Sequence, residues 1–266
     1  MMRRWLSMLL PFAASFAMST AHAQTSPLQL YAAGSLRDAL TEVARQFEAQ
    51  TGQKVGLTFG ASGLLRERIE KGEPAQVFAS ADMDHPQRLA QAGGWTVPSV
   101  FALNQMCVLA APSVTTSPQT LLATMLRPEI RVGTSTPKAD PSGDYAWALF
   151  RRAEVLQPGA YALLDAKALK LTGGADSPRP PPGRSTYAWI MGEGQADMFL
   201  TYCTNAVAAQ REVPRLKIID VPPDLQVAAR YGVAARQGDA AAAQLLHYMV
   251  SPPAQAVLQR YGFGQP

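Results

Sequence analysis

Histidine and cysteine are scarce in this chain of 266 residues, with three of one and two of the other. One histidine, His22, falls in the leader described below, so only His85 and His247 remain and a histidine-rich metal site is excluded. A strong excess of either charge is also missing. Lys and Arg number 24 against 20 Asp and Glu, and removing the leader, which holds two arginines and no acid, leaves a balance of +2. That balance gives no case for a nucleic-acid partner, whose phosphates ask for a markedly basic face. After the leader no run is long and apolar enough to cross a bilayer. No repeat recurs at a period of about 20–50 residues, and the only biased tract is a short run of prolines.

What is present begins with a leader. Arg3 and Arg4 form a positive start, Leu6 to Ala17 a mostly apolar stretch, and Ala21-His22-Ala23 a small-x-small cleavage site before Gln24. This is the pattern of a secretory signal peptide over residues 1–23. No cysteine stands at the cleavage point, so a lipid anchor is not expected. The remaining 243 residues or so would be exported, and they suffice for one large domain or two lobes. In an exported protein Cys107 and Cys203 are free to pair, and equally free to remain buried thiols. Both lie in apolar runs that read as strands, and pairing depends on a distance and orientation that sequence does not specify.

The chain is organised around Tyr31-Ala32-Ala33-Gly34-Ser35-Leu36. An apolar run from Leu28 enters it, and Leu36, Leu40, Val43 and Phe47 leave it at helical spacing. The pattern is strand, tight turn, helix, with Ser35 read as the helix N-cap. Phe59-Gly60-Ala61-Ser62-Gly63-Leu64 repeats it after a second strand at residues 54–59. A helix start offers unpaired N–H groups and partial positive charge, which suits an anion. A third strand at residues 76–80 and a short helix at 82–91 continue a βαβαβα alternation, the mark of a parallel sheet covered by helices. Further strands are read at 106–110, 130–134, 198–202, 217–219 and 231–234. Helices are read at 118–125, 145–152, 186–192, 240–249 and 254–261. Residues 161–171 read as helical or irregular. Residues 172–184, with Pro180-Pro181-Pro182, read as a loop.

Taken in order, Tyr31 to Leu36, Phe59 to Gly63, Ala79-Ser80-Ala81-Asp82, Pro141-Ser142-Gly143-Asp144-Tyr145, Tyr202-Cys203-Thr204-Asn205-Ala206 and Arg260-Tyr261-Gly262-Phe263 resemble the periplasmic molybdate- and tungstate-binding proteins, the substrate-binding components of ABC importers. The resemblance implies an α/β, two-lobed type II binding-protein fold, each lobe a mostly parallel sheet flanked by helices. Lobe I would take residues 28–104 and return at 223–266, and lobe II residues 105–222. A tetrahedral oxyanion would sit between the lobes. Ser35 and Ser62 would donate hydroxyls and backbone N–H groups, Tyr202 its phenol, Ser142 a backbone N–H, and the segment at Arg184 and Ser185 another. The resemblance further implies a periplasmic monomer that serves an inner-membrane permease and carries no cofactor. The chemistry is consistent with it: a deprotonated dianion only accepts hydrogen bonds, and serine, tyrosine and N–H groups can all donate without adding a buried charge.

Other readings stand beside this one. Ser35, Ser62 and Ser142 also suit plain helix caps, and Tyr202 an ordinary strand position. Trp147, Trp189, Tyr145 and Tyr187 read as packing residues. Arg184 replaces a small or apolar residue of the family; it either reaches the ligand, which would suit a different or larger oxyanion, or points to solvent or pairs with Asp176. Asp140 and Asp144 would repel an anion if they faced it. A ferric-ion binder of the same fold would need paired tyrosines with His or carboxylate, and Tyr202 has no tyrosine beside it. A serine hydrolase would need Gly-x-Ser-x-Gly, but Leu64 stands where the second glycine belongs, and neither His85 nor His247 carries an acid-partner motif.

Overall fold

The computed structural model describes residues 26–266; the expected signal peptide lies outside the described residues. Elements are numbered in chain order. Ten strands run β1 Leu28–Ala33, β2 Val55–Gly60, β3 Val77–Ser80, β4 Ser99–Asn104, β5 Met106–Ala110, β6 Val132–Ser135, β7 Leu169–Thr172, β8 Met198–Tyr202, β9 Lys217–Asp220 and β10 Ala229–Ala235. The helices are α1 Arg37–Thr51, α2 Ser62–Glu70, α3 Asp84–Ala92, α4 Leu121–Leu126, α5 Pro141–Leu156, α6 Ala160–Lys167, α7 Thr186–Gly192, α8 Cys203–Glu212, α9 Ala240–Met249 and α10 Pro252–Arg260. Short 3-10 turns precede α1 and α4.

Apolar runs that are buried on both faces build two five-stranded sheets. In β1 and β3 nearly every side chain is buried, as in β5 and β8 of the other sheet. The first sheet has the order β2-β1-β3-β10-β4 and the second β7-β6-β8-β5-β9. The two orders are equivalent. In each, the first three strands are parallel, the fourth is reversed, and the fifth is antiparallel to the fourth. The sheets are therefore mixed, with one opposed strand in each, rather than simply parallel. Helix α1 shows why the helices cover them: Ala39, Leu40, Val43, Ala44 and Phe47 form one buried stripe, and Gly52 ends the helix at a φ of +74° that a side chain disfavours.

The reversed strands are the ones through which the chain changes lobe. Strand β4 ends at Asn104 and β5 starts at Met106, so Gln105 alone joins the sheets on the way out. The return runs from β9 to β10, and the Gln226 side chain ties it to β5 by accepting from Met106 N and donating to Met106 O, both at 2.9 Å. Strand β4 stands where no element was read, and β7 where a helical or irregular segment was expected. Cys203, expected in a strand, is instead the first residue of α8.

Cys107 on β5 and Cys203 are joined in a disulfide with Cα atoms 4.8 Å apart, closing a span of 96 residues. The bond fixes the start of α8, and Tyr202 just before it, to the strand that leaves the crossover. Replacing both by alanine is expected to lower the unfolding free energy by about 2–5 kcal/mol, measured by denaturant titration. An unchanged midpoint would mean that the bond constrains nothing the rest of lobe II does not already hold.

Candidate functional site

The parallel strands of both sheets point their carboxyl ends at one cleft. From lobe I come the turns after β1 and β2; from lobe II come the turn after β7 and the end of β8. The cleft holds about 1080 Å³ and is lined by Ser35, Ser62, Asp140, Arg184, Ser185 and Tyr202, among others. Five of the six candidate residues thus share its wall. The sixth, Ser142, is fully buried behind Asp140.

The serines of lobe I are not caps. Ser35 sits inside a 3-10 turn, Gly34–Leu36, and Ser62 is the first residue of α2, with Ala61 in the capping position. Each hydroxyl oxygen already has a hydrogen-bond neighbour. Ala81 N donates to Ser62 Oγ at 3.1 Å. Tyr231 Oη lies 2.9 Å from Ser35 Oγ, and Asn104 Nδ2 donates to Tyr231 Oη at 3.4 Å and to Thr204 Oγ1 at 2.9 Å. Either hydroxyl of the Ser35–Tyr231 pair can be the donor; when Tyr231 donates, the protons of both serines are free for a ligand in the cleft. Tyr231 had drawn no attention in the sequence beyond its place in a short strand; only the pairing of β10 between β3 and β4 brings it beneath Ser35.

Lobe II supplies hydroxyls that lack partners. Tyr202 is 2% exposed, and its Oη makes no hydrogen bond; Ser142 Oγ and Ser135 Oγ are buried and also unpartnered. The ring of Tyr202 packs against Tyr231 across the lobes and against Tyr145, with centroids 5.5 and 6.1 Å away. Burial raises the Tyr202 phenol well above its ordinary range, so it remains a donor. Tyr187, pushed up to about 12 chiefly by burial, stands near Thr201, Ser135 and Ser142.

Three expected donors are otherwise engaged. The Ser142 N–H donates to Asp140 Oδ1 at 3.0 Å, which makes Asp140 the N-cap of α5. The Ser185 N–H donates to Glu212 Oε2 at 2.8 Å, and Arg184 pairs with the same carboxylate rather than with Asp176. Partial burial works against it, but the hydrogen bonds from Arg184 and Ser185 hold Glu212 below the usual carboxylate range. Glu212 thus fills a small anion pocket in the cleft wall with a side chain of the protein itself.

His85 is buried with its Nε2 3.6 Å from Asp82 Oδ2, so it does have an acid neighbour, contrary to the motif reading. Its ring nitrogens make no hydrogen bond, and the recorded partner of Ser62 Oγ is Ala81 N, so no base addresses that serine. Among the described residues no group of three or more His, Cys, Asp or Glu gathers as a metal site would require.

Two lobes of equivalent strand order, with donors converging over the carboxyl ends of their strands, define a two-lobed solute-binding protein. The chain belongs to the bacterial extracellular solute-binding protein family, whose model matches residues 28–264. Protein PM1146 of Pasteurella multocida, itself uncharacterised, is 36% identical over 214 residues, covering 80% of this chain and 88% of that one. The molybdate-binding protein ModA of Escherichia coli is 28% identical over 278 residues, covering 99% of each. Among solved structures, the periplasmic molybdate-binding protein of Azotobacter vinelandii superposes with a TM-score of 0.69 at 22% identity, over 90% of this chain and 99% of that one. The sulfate-binding protein SubI of Mycobacterium tuberculosis gives 0.72 at 18%, over 91% and 87%. L-phospholactate-bound PEB3 gives 0.68 at 15%, over 90% and 100%. These structures share the fold. The family is one of solute binders and not of enzymes.

A tight contact between the lobes lies at Gly63. Gly63 N donates to Ala139 O at 2.9 Å, and a Cβ on Gly63 would lie 2.3 Å from Lys138 O and 2.7 Å from Ala139 O. Gly63→Val is therefore expected to wedge the cleft open, giving a larger radius of gyration by small-angle scattering than the wild type in the same buffer. Equal radii would show that the contact is not kept in solution.

Asp140 gives a pH dependence. Burial pushes its carboxyl up to about 6 from 3.8, against the Ser142 N–H, which pulls it down. A raised acid favours the folded state below its unfolded pKa, and that advantage is lost as pH rises from about 4 through about 6. Asp140→Asn keeps a capping side chain and removes the titration. Relative to wild type, the variant should gain about 2–3 kcal/mol of stability between about pH 4 and pH 7, and no more above that. Parallel stability curves for the two proteins would contradict this.

Proposed function

We propose that the protein is exported through its leader, captures a tetrahedral oxyanion of the molybdate and tungstate kind in the cleft, and hands it to the permease of an ABC-type importer. The observation that carries the reading is the convergence of Ser35, Ser62 and the unpartnered Tyr202 on one cleft wall. A dianion without protons needs donors only, and these three are neutral donors placed on both lobes, so they can all be satisfied only with the cleft shut. The ModA relative, aligned along nearly the whole chain, supports the same ligand class. Export to the periplasm is supported by the leader and by the periplasmic molybdate-binding neighbour.

A different oxyanion is the second reading. The cleft volume of about 1080 Å³ exceeds what one small ion needs, and SubI and PEB3 share the fold. The Arg184–Glu212 pair would have to open for Arg184 to take part. The ferric-ion reading finds no support in the cleft, where Tyr202 has no carboxylate–histidine set around it.

Calorimetry with molybdate, tungstate, sulfate, phosphate, chromate and ferric ion tests the proposal. Molybdate or tungstate should bind with about −8 to −12 kcal/mol, micromolar to nanomolar. Each donor to a charged ligand contributes about 1.5–3 kcal/mol, so Ser35→Ala with Ser62→Ala should weaken binding by about 10²–10⁴-fold. Undiminished affinity in the double variant would overturn the site, and heat only from ferric ion would overturn the ligand class.

A further inference from the structure

Within the oxyanion reading of the cleft, we propose that Asp140 is a specificity-determining residue that shares one proton with the bound oxyanion. A fully deprotonated ion would then bind only with uptake of a proton by the protein, whereas an ion that brings its own hydrogen would not.

The geometry sets up the problem. Asp140 lies on the cleft wall with Ser35, Ser62 and Tyr202. Its Oδ1 accepts the Ser142 N–H at 3.0 Å. Gly173, after β7, lets the other oxygen sit close: a Cβ there would come within 2.6 Å of Asp140 Oδ2, and the backbone holds a φ of +78°. The position is thus built around the carboxyl group. Beside it are buried hydroxyls with no partner, Ser142 Oγ and Tyr202 Oη, which await an acceptor. Ionised, a carboxylate can only accept, and so can a deprotonated oxyanion. Two such groups side by side repel. One proton between them converts the repulsion into a short charge-assisted O–H···O⁻ bond.

The surroundings favour that proton. The other charges acting most on Asp140 are Asp144 on its own helix and Asp82 from lobe I, both acidic. Tyr187 on α7 and Tyr202 at the end of β8 face it as neutral phenols. Of the arginines on the cleft wall, Arg184 is committed to Glu212, Arg68 pairs with Glu73, and Arg37 lies over the Phe59 ring, while Arg179 and Arg211 line it without an ion pair to Asp140. No cation partner for Asp140 is recorded among the described residues. Its proton affinity is already raised in the free protein, so the proton needed by a dianion is held below about pH 6 and must be taken from solvent above it.

Sulfate and molybdate carry no proton above pH 6, whereas inorganic phosphate above about pH 7 carries one. Titration calorimetry of wild-type protein at pH 8, in buffers of different ionisation enthalpy, should show uptake of about one proton with molybdate and sulfate and none with phosphate. The affinity for molybdate should fall about tenfold per pH unit above the Asp140 titration. Asp140→Asn can donate through its amide without titrating. It should show no uptake and a flat pH profile for molybdate. Identical pH profiles in the two proteins, or no proton uptake by wild type at pH 8 while molybdate still binds, would overturn the role of Asp140 and leave the oxyanion site standing. If neither protein binds any of the three ions at pH 5.5 or pH 8, the oxyanion site itself falls and this inference with it.

Discussion

The site depends on the direction of its hydrogen bonds more than on their number. A hydroxyl can serve an anion only if its proton is free, and its proton is free only if its oxygen is satisfied by something else. The backbone N–H of Ala81 does this for Ser62, and the chain from Asn104 through Tyr231 does it for Ser35. Both relays are formed from strands β3, β4 and β10, so the assembly of one sheet is what orients the donors. On the opposite lobe the need is met differently, by burying Tyr202 until its hydroxyl has no alternative partner. These converging donors are neutral, so they meet negative charge without the desolvation of a buried cation.

The acidic residues complicate that picture in a productive way. Glu212 already occupies the pocket made by Arg184 and the Ser185 N–H, so that part of the wall is neutralised before any ligand arrives. Asp140 caps α5 and so consumes the Ser142 N–H that a simpler site would offer. Each acid removes a donor from one place and shapes the remaining space in another. The departures from a minimal oxyanion cradle are concentrated in lobe II, while lobe I keeps the plain arrangement of two serines at two chain turns.

Much of this was legible in the sequence because its strongest signals are local. Small residues followed by helical spacing at Ser35 and Ser62 mark strand–turn–helix units without any knowledge of their neighbours. Failures came where meaning depends on distant pairing. Strand β4 follows Pro98 and a Gly-Gly pair and goes unread until β10 and Gly264 pair with it. Strand β7 runs on from α6 with no break residue, and only pairing with β6 reveals it. Cys203 looks like the end of an apolar strand, yet Tyr202 already turns the backbone into α8. Tyr231 and Asp140 gain their roles from groups 196 and two positions away, respectively; the first is beyond any local pattern, and the second is indistinguishable in sequence from an ordinary cap.

The placement of β10 has a further consequence. It is the strand that completes the first sheet, inserted between β3 and β4, and it comes from the last forty residues of the chain. The strands of the second sheet and its Cys107–Cys203 bond all lie before β10. A polypeptide made from its amino terminus will therefore finish its inserted half first, while the half that begins the sequence waits, with its serines unaligned, for its tail to arrive.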